Sequence, residues 1–279
     1  MEKRILGNTG QALSVVGFGG MLVMGEEQKY ANRLVAEAVE RGLNYFDVAP
    51  TYGDAEEILG PAIEPYRTAL FLAGKTVERT GQKALVELKQ SLKRLRTGHI
   101  DLYQLHGVKT LDEVKSILAP GGALEAILKA KKDGLIRYVG FSAHSEEAAL
   151  ALLEQFKFDS ILFPVNWVSW LQGNFGPKVI EKAKMQGTGI LALKALAKRK
   201  WKQEEKRNWS KCWYAPVESQ EEAALALRFT LSKPVTAAST PGHPEFLWWA
   251  CDIADNFKPL SKEEELLLKE KSRGLEPVF

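Results

Sequence analysis

Four residues of acid–base character close three successive apolar runs in this 279-residue chain. Asp47 and Tyr52 lie five residues apart in NYFDVAPTYG, residues 44–53. Lys75 closes ALFLAGK, and His106 closes IDLYQLH. From Asp47 to Lys75 is 28 residues, and from Lys75 to His106 is 31. A carboxylate, a phenol, an ammonium and an imidazole brought together can pass a proton, because each shifts the ionisation of the others. Taken singly, each has a plainer reading. Asp47 and Tyr52 beside Pro50 and Gly53 suit a polar turn. Lys75 suits a strand-end cation, and His106 a hydrogen-bonded rim histidine. The chemical reading depends on a fold that gathers the four.

The elements around them predict such a fold. Apolar runs SVVGFGG, LNYFDVA, ALFLAGK, IDLYQLH, IRYVGFSAH, SILFPVN, GILALKAL and PVTAAST read as strands. Helical patterning covers 32–41, 56–63, 81–95, 124–132, 146–155, 178–186, 221–231 and 262–271. Gly42 and Gly134 are suited to end two of these helices. Continuous apolar strands fit a parallel sheet buried on both faces. Eight strand–helix units in a chain of this length predict an α/β (β/α)8 TIM barrel. Residues 3–6 and 12–14, joined by Gly7-Asn8-Thr9-Gly10, predict a short N-terminal β-hairpin ahead of it. A doubly wound sheet is the alternative, but no GxGxxG fingerprint supports it. No linker or composition break appears, so 1–279 is expected to be a single domain. In a barrel all strands end on one face, which brings the four groups together.

Composition narrows the function classes. Hydrophobic residues make up 45% and the net charge is +3, which carries no global signature of a nucleic-acid or membrane binder. Two cysteines, Cys212 and Cys251, are too few for a disulfide framework or a metal cluster. The amino-terminal MEKRILGNTGQALSVVG lacks the apolar core of a signal peptide. A reducing, cytoplasmic setting and no membrane span are the expectations.

Six motifs resemble the aldo-keto reductases: LGNTGQALSVVGFGG, FDVAPTYG with AEEILG, AGKT, DLYQLHG, GLIRYVGFSAHS and VTAASTPG. The resemblance runs over nearly the whole chain. It implies reduction of an aldehyde or ketone by hydride transfer, with Asp47, Tyr52, Lys75 and His106 as the catalytic set. A free tyrosine, with a pKa near ~10, is a poor acid at neutral pH. An ammonium beside it favours the phenolate, so Lys75 is expected to lower Tyr52, with Asp47 as the ion-pair mate of Lys75. His106 then orients the substrate oxygen. None of the four can supply a hydride, so a cofactor must. The resemblance implies NADPH, with NADH as the alternative, and the lone cysteines give no expectation of a metal. Its expected contacts are Gly19, Gly20, Asp47, Ser142, His144, Asn166, Lys194, Leu196, Gly242 and His243.

The chain departs from the family's pattern in the cofactor half of the site. Ala143 stands where an Asn commonly follows the serine, with His144 as a replacement. Asn166 is the polar candidate where a Gln is common, and Leu193 stands where an aromatic often stacks. PGHPEFLWWACD offers no Lys or Arg to a 2′-phosphate. The stretch KRKWKQEEKRNWSK, residues 198–211, reads as a solvated loop, with a cofactor clamp and nucleic-acid binding as lesser readings. Met21, Leu22, Val23, Met24, Trp167, Trp170, Trp213 and Tyr214 suggest an apolar pocket and an apolar or aromatic carbonyl substrate. A nucleotide-binding accessory or sensor barrel without turnover is the rival function. The sequence leaves the oligomeric state open.

Overall fold

The hairpin, read in a computed structural model covering residues 1–279, pairs β1 (Lys3–Ile5) antiparallel with β2 (Ala12–Ser14). Its leucines Leu6 and Leu13 are fully buried. They join an apolar cluster with Tyr45, Phe71, Leu102, Leu162, Leu191 and Ala237. Asn8 N donates to the Gly187 carbonyl, and Thr236 Oγ1 donates to the Ile5 carbonyl. The hairpin therefore plugs the amino-terminal end of the barrel.

The barrel strands are β3 (Val16–Gly19), β4 (Tyr45–Asp47), β5 (Phe71–Thr76), β6 (Ile100–Val108), β7 (Ile136–Ala143), β8 (Ser160–Pro164) and β9 (Gly189–Leu193). A two-stranded ribbon of β10 (Ala197–Arg199) and β11 (Ala215–Pro216) follows, and β12 (Ala237–Ser239) closes the ring. The order is β12-β3-β4-β5-β6-β7-β8-β9, with every pairing parallel. This is the (β/α)8 TIM barrel, with its hairpin, that the alternation predicts. Helices cover the outside, and a core of 68 buried residues fills the space between them and the strands.

Register sets the site. Asp47 lies opposite Ala73, and Lys75 opposite Gln104. Side chains alternate along a strand, so Ala73 and Lys75 share one face, as do Gln104 and His106. Asp47, Lys75 and Gln104 thus become diagonal neighbours on the inner face. Gly17 makes room beside them. A Cβ there would lie 2.4 Å from Cδ1 of Tyr45, whose ring stands directly below Asp47.

The patterning missed some elements. Leu111–Leu118, Trp167–Gly173 and Pro244–Asp255 are helices. The run GILALKAL ends as a strand at Leu193, because Lys194 turns into a left-handed conformation with φ 65°. No helix is long and apolar enough to cross a membrane.

Candidate active site

The register places Lys75, with no exposed surface, under Tyr52. Its ammonium has three donors. One goes to Asp47 Oδ1, one to Tyr52 Oη at 3.3 Å and one to the Val48 carbonyl at 3.5 Å. Lys75 donates to the phenol oxygen, so the Tyr52 hydroxyl keeps its own proton for a group in the cavity. Asp47 Oδ2 accepts from Tyr45 Oη at 3.2 Å and from Gln104 Nε2 at 3.1 Å. Neither Tyr45 nor Gln104 stands out in the sequence as a functional residue. Each sits two positions before a candidate, at Asp47 and His106, and that period-two spacing is the signal that marks them.

Electrostatics set the resting proton positions. Burial pulls Lys75 down, but Asp47 and Tyr52 outweigh it, and the ammonium lies above its ordinary value. Burial raises Tyr52; Lys75 pulls it down, Asp47 pushes it back, and the balance stays above the ordinary phenol value. Lys75 thus lowers Tyr52 as expected, but burial, with Asp47 adding to it, outweighs that pull. Asp47 opposes part of the ammonium's field, and burial, the largest influence, decides the direction. The phenol is fully protonated at neutral pH, as a proton donor must be.

His106 faces Tyr52 edge-on, with ring centroids 6.0 Å apart. Burial, followed by Lys75, pushes its imidazole down to about 3, so it is neutral. Its buried Nδ1 has no hydrogen-bond partner. The tautomer with its proton on Nε2 avoids an orphaned donor there and leaves an N–H for an oxygen in the cavity. Ser142 Oγ accepts from Gly107 N at 2.7 Å, which leaves the serine O–H free to donate.

These groups open into a cavity of about 110 Å³. Tyr52, Lys75, His106, Ser142, His144 and Lys194 lie on its wall, as do Met21, Trp213, Tyr214 and Gly242. The other expected contacts are placed differently. Asp47 lies beneath the wall, nearly fully buried. Gly19 lets β3 approach the last strand: a Cβ there would lie 2.4 Å from the Thr240 carbonyl oxygen. Gly20 is pressed against Val48 in the same way, at 2.7 Å. Asn166 is occupied internally. Its Oδ1 accepts from Val168 N and Ser169 N, and its Nδ2 donates to the carbonyls of Lys194 and Ala197. Leu196 is in the core. His243 Nε2 accepts from Lys211 N at 3.1 Å, fixing the loop rather than facing the cavity. Leu22, Val23 and Trp167 are likewise core residues, and Trp170 packs against Phe229. The apolar pocket wall is therefore narrower than the sequence suggests.

The 198–211 stretch is anchored rather than loose. Arg199 pairs with Glu205 through two hydrogen bonds, Lys198 with Glu218 and Glu222, Lys200 with Glu276, and Lys211 with Glu26. Trp201 Nε1 donates to the Cys212 carbonyl, and Trp209 packs on His243 and Phe246. With four of its seven cations on internal carboxylates, the stretch offers little basic face to nucleic acid.

Acid stability follows from the histidines. His144 is also pushed down to about 3, by burial and then by Lys194 and Lys109. A base held neutral when folded contributes stability that is full above the unfolded value, about 6.5. That contribution is lost as pH falls toward 3. Urea unfolding should show a slope that rises from pH 7 and approaches about 1.4 kcal/mol per pH unit from each such histidine between about pH 6 and pH 4. A His144→Gln variant should lose one such increment of slope. An unchanged slope would place His144 in contact with solvent.

Four similarities bear on identity. The family model described as Aldo/keto reductase family matches residues 15–245. The uncharacterized oxidoreductase YqkF of Bacillus subtilis is 38% identical over 157 residues, 51% of this chain and 49% of that protein. Methylglyoxal reductase YeaE of Escherichia coli is 35% identical over 114 residues, 38% of this chain and 40% of that protein. The match thus spans about half, or less, of the length of these two relatives. The holo form of aldo-keto reductase AKR11C1 from Bacillus halodurans superposes with a TM-score of 0.77, at 24% identity. It covers 100% of this chain and 98% of that one, and at that identity the likeness speaks for the fold alone.

Proposed function

The chain belongs to the aldo/keto reductase family, and we propose that it reduces the carbonyl of a small aldehyde or ketone to an alcohol with NADPH. The observation that carries this is the direction of one hydrogen bond. Lys75 donates to Tyr52 Oη, so the only proton the phenol can give goes to the cavity. The methylglyoxal reductase among the relatives supports a carbonyl substrate.

The walls suit a nicotinamide nucleotide. Ser142 presents a free O–H, an apt donor to a carboxamide oxygen. Gly242 brings bare backbone to the wall, where a Cβ would lie 2.8 Å from Cβ of Lys211. When bound, the nicotinamide supplies the hydride. The residues of the chain do the rest. The His106 N–H and the Tyr52 O–H hold the carbonyl oxygen between them. Charge grows on that oxygen as the carbon is reduced, and Tyr52 gives it a proton. Lys75 then stabilises the phenolate left behind, with Asp47, Tyr45 and Gln104 holding Lys75 in place.

Titration with NADPH and NADH by tryptophan fluorescence should show binding. Absorbance at the nicotinamide band should then fall with methylglyoxal or benzaldehyde present. Nucleotide binding without oxidation by any of a panel of carbonyls would overturn the reading in favour of an accessory barrel.

A further inference from the structure

Three lysines line the cavity, and two are neutralised. Lys75 is paired with Asp47, and Lys211 with Glu26 at 2.8 Å. Lys194 is not: its Nζ makes no hydrogen bond or ion pair, and it lies over the face of the Phe279 ring, 4.2 Å from the centroid. That ring stacks on Phe175 at 5.1 Å and tilts against His144 at 5.3 Å. A ring face returns only part of what an ammonium loses on leaving water. No Asp or Glu lies on the cavity wall.

The backbone is built to hold this lysine there. Lys194 has φ 65°, a conformation that ordinary residues seldom adopt. Its carbonyl accepts from Ala197 N at 3.0 Å and from Asn166 Nδ2 at 3.1 Å. Asn166, expected as a ligand, instead fixes the turn that aims Lys194 at the cavity. An unpaired cation in an uncommon backbone state, on the wall of a site, points to a ligand.

We propose that the substrate carries a carboxylate as well as its carbonyl, the carboxylate seated on Lys194 with His144 alongside. This rests on the carbonyl reductase reading above, and it replaces the apolar substrate that the sequence suggests. Lys109 is the one charged group that bears on Lys194, and His144 is neutral. Burial, with Lys109 adding to it, brings the ammonium down to about 7. An arriving anion restores its charge, so the seat should weaken as pH rises above 7.

The test pairs 4-carboxybenzaldehyde with its methyl ester, on the full-length protein with NADPH. The wild type should prefer the acid, through KM. Lys194→Met should lower the acid-to-ester ratio of kcat/KM about 10- to 100-fold. Lys194→Arg should keep most of the preference and lose its decline above pH 7. No acid preference in the wild type, or an unchanged ratio in Lys194→Met, would overturn the seat. A weaker NADPH Kd in Lys194→Met with an unchanged ratio would assign the cation to the nucleotide's phosphates and also overturn it. Calorimetry with 4-carboxybenzaldehyde separates the two readings. Lys194-dependent binding without turnover would keep the seat and fail the reductase reading. Binding that ignores Lys194 would fail the seat whatever the turnover.

Discussion

Replacing Tyr52 by phenylalanine is expected to lower kcat for carbonyl reduction by about 10²- to 10⁴-fold, the usual weight of a positioned general acid. The ring stays, and the only bond lost is the one accepted from Lys75. Stability and NADPH affinity should therefore change little. No neighbour can take over the proton. Lys75 is held above its ordinary value, so it yields a proton poorly at neutral pH. His106, down to about 3, carries no spare proton to give. The same reasoning sets the pH profile of kcat. Tyr52 lies above its ordinary value, so reduction should hold level through neutral pH and fall only in the alkaline range. Stopped-flow or steady-state oxidation of NADPH measures both. Wild-type turnover in Tyr52→Phe would remove the phenol from the chemistry.

How far this site was legible depends on where the interactions lie along the chain. Asp47, Lys75 and His106 were readable because each ends an apolar strand, and the barrel converts equal strand-end positions into proximity. Tyr45 and Gln104 were hidden by the same pattern. They fall on apolar runs and look like core, and only the inward period of two shows that they face Asp47. The net effect on Tyr52 was not readable at all. It depends first on burial and then on how far Asp47 opposes Lys75, and both are properties of packing. The carboxyl-terminal half was harder. Lys194 sits in what reads as a strand, and nothing local announces a left-handed turn held by Asn166, 28 residues earlier. The 198–211 stretch is solvated as it reads, with residues 202–204 and 206–208 exposed, but its anchoring was hidden because the carboxylate partners Glu26, Glu218, Glu222 and Glu276 are mostly remote in sequence. His243, expected at the cofactor, lies off the cavity wall and accepts from Lys211 N, a bond that sequence does not announce.

Breaking the Asp47–Lys75 pair should give a large stability effect, together with a loss of activity. Lys75 has no exposed surface and Asp47 almost none. Asp47→Asn would strand the ammonium without a counter-charge, and breaking a buried pair in this way costs about 3–5 kcal/mol. Lys75→Met would strand the carboxylate instead, with Tyr45 and Gln104 as its remaining donors. Those two neutral bonds offset part of the loss, so Lys75→Met should be the milder single variant. The double variant Asp47→Asn, Lys75→Met removes both charges. It leaves an amide oxygen to accept from Tyr45 and Gln104. Its stability should therefore exceed that of Asp47→Asn, so that the two changes are far from additive. Activity should not follow stability, because Tyr52 has lost the cation that stabilises its phenolate, and the double variant should be as inactive as either single one. Urea denaturation beside NADPH oxidation separates the two effects. Additive losses of stability would mean that the pair is not coupled, and recovery of turnover in the double variant would mean that Lys75 serves packing and not the phenol.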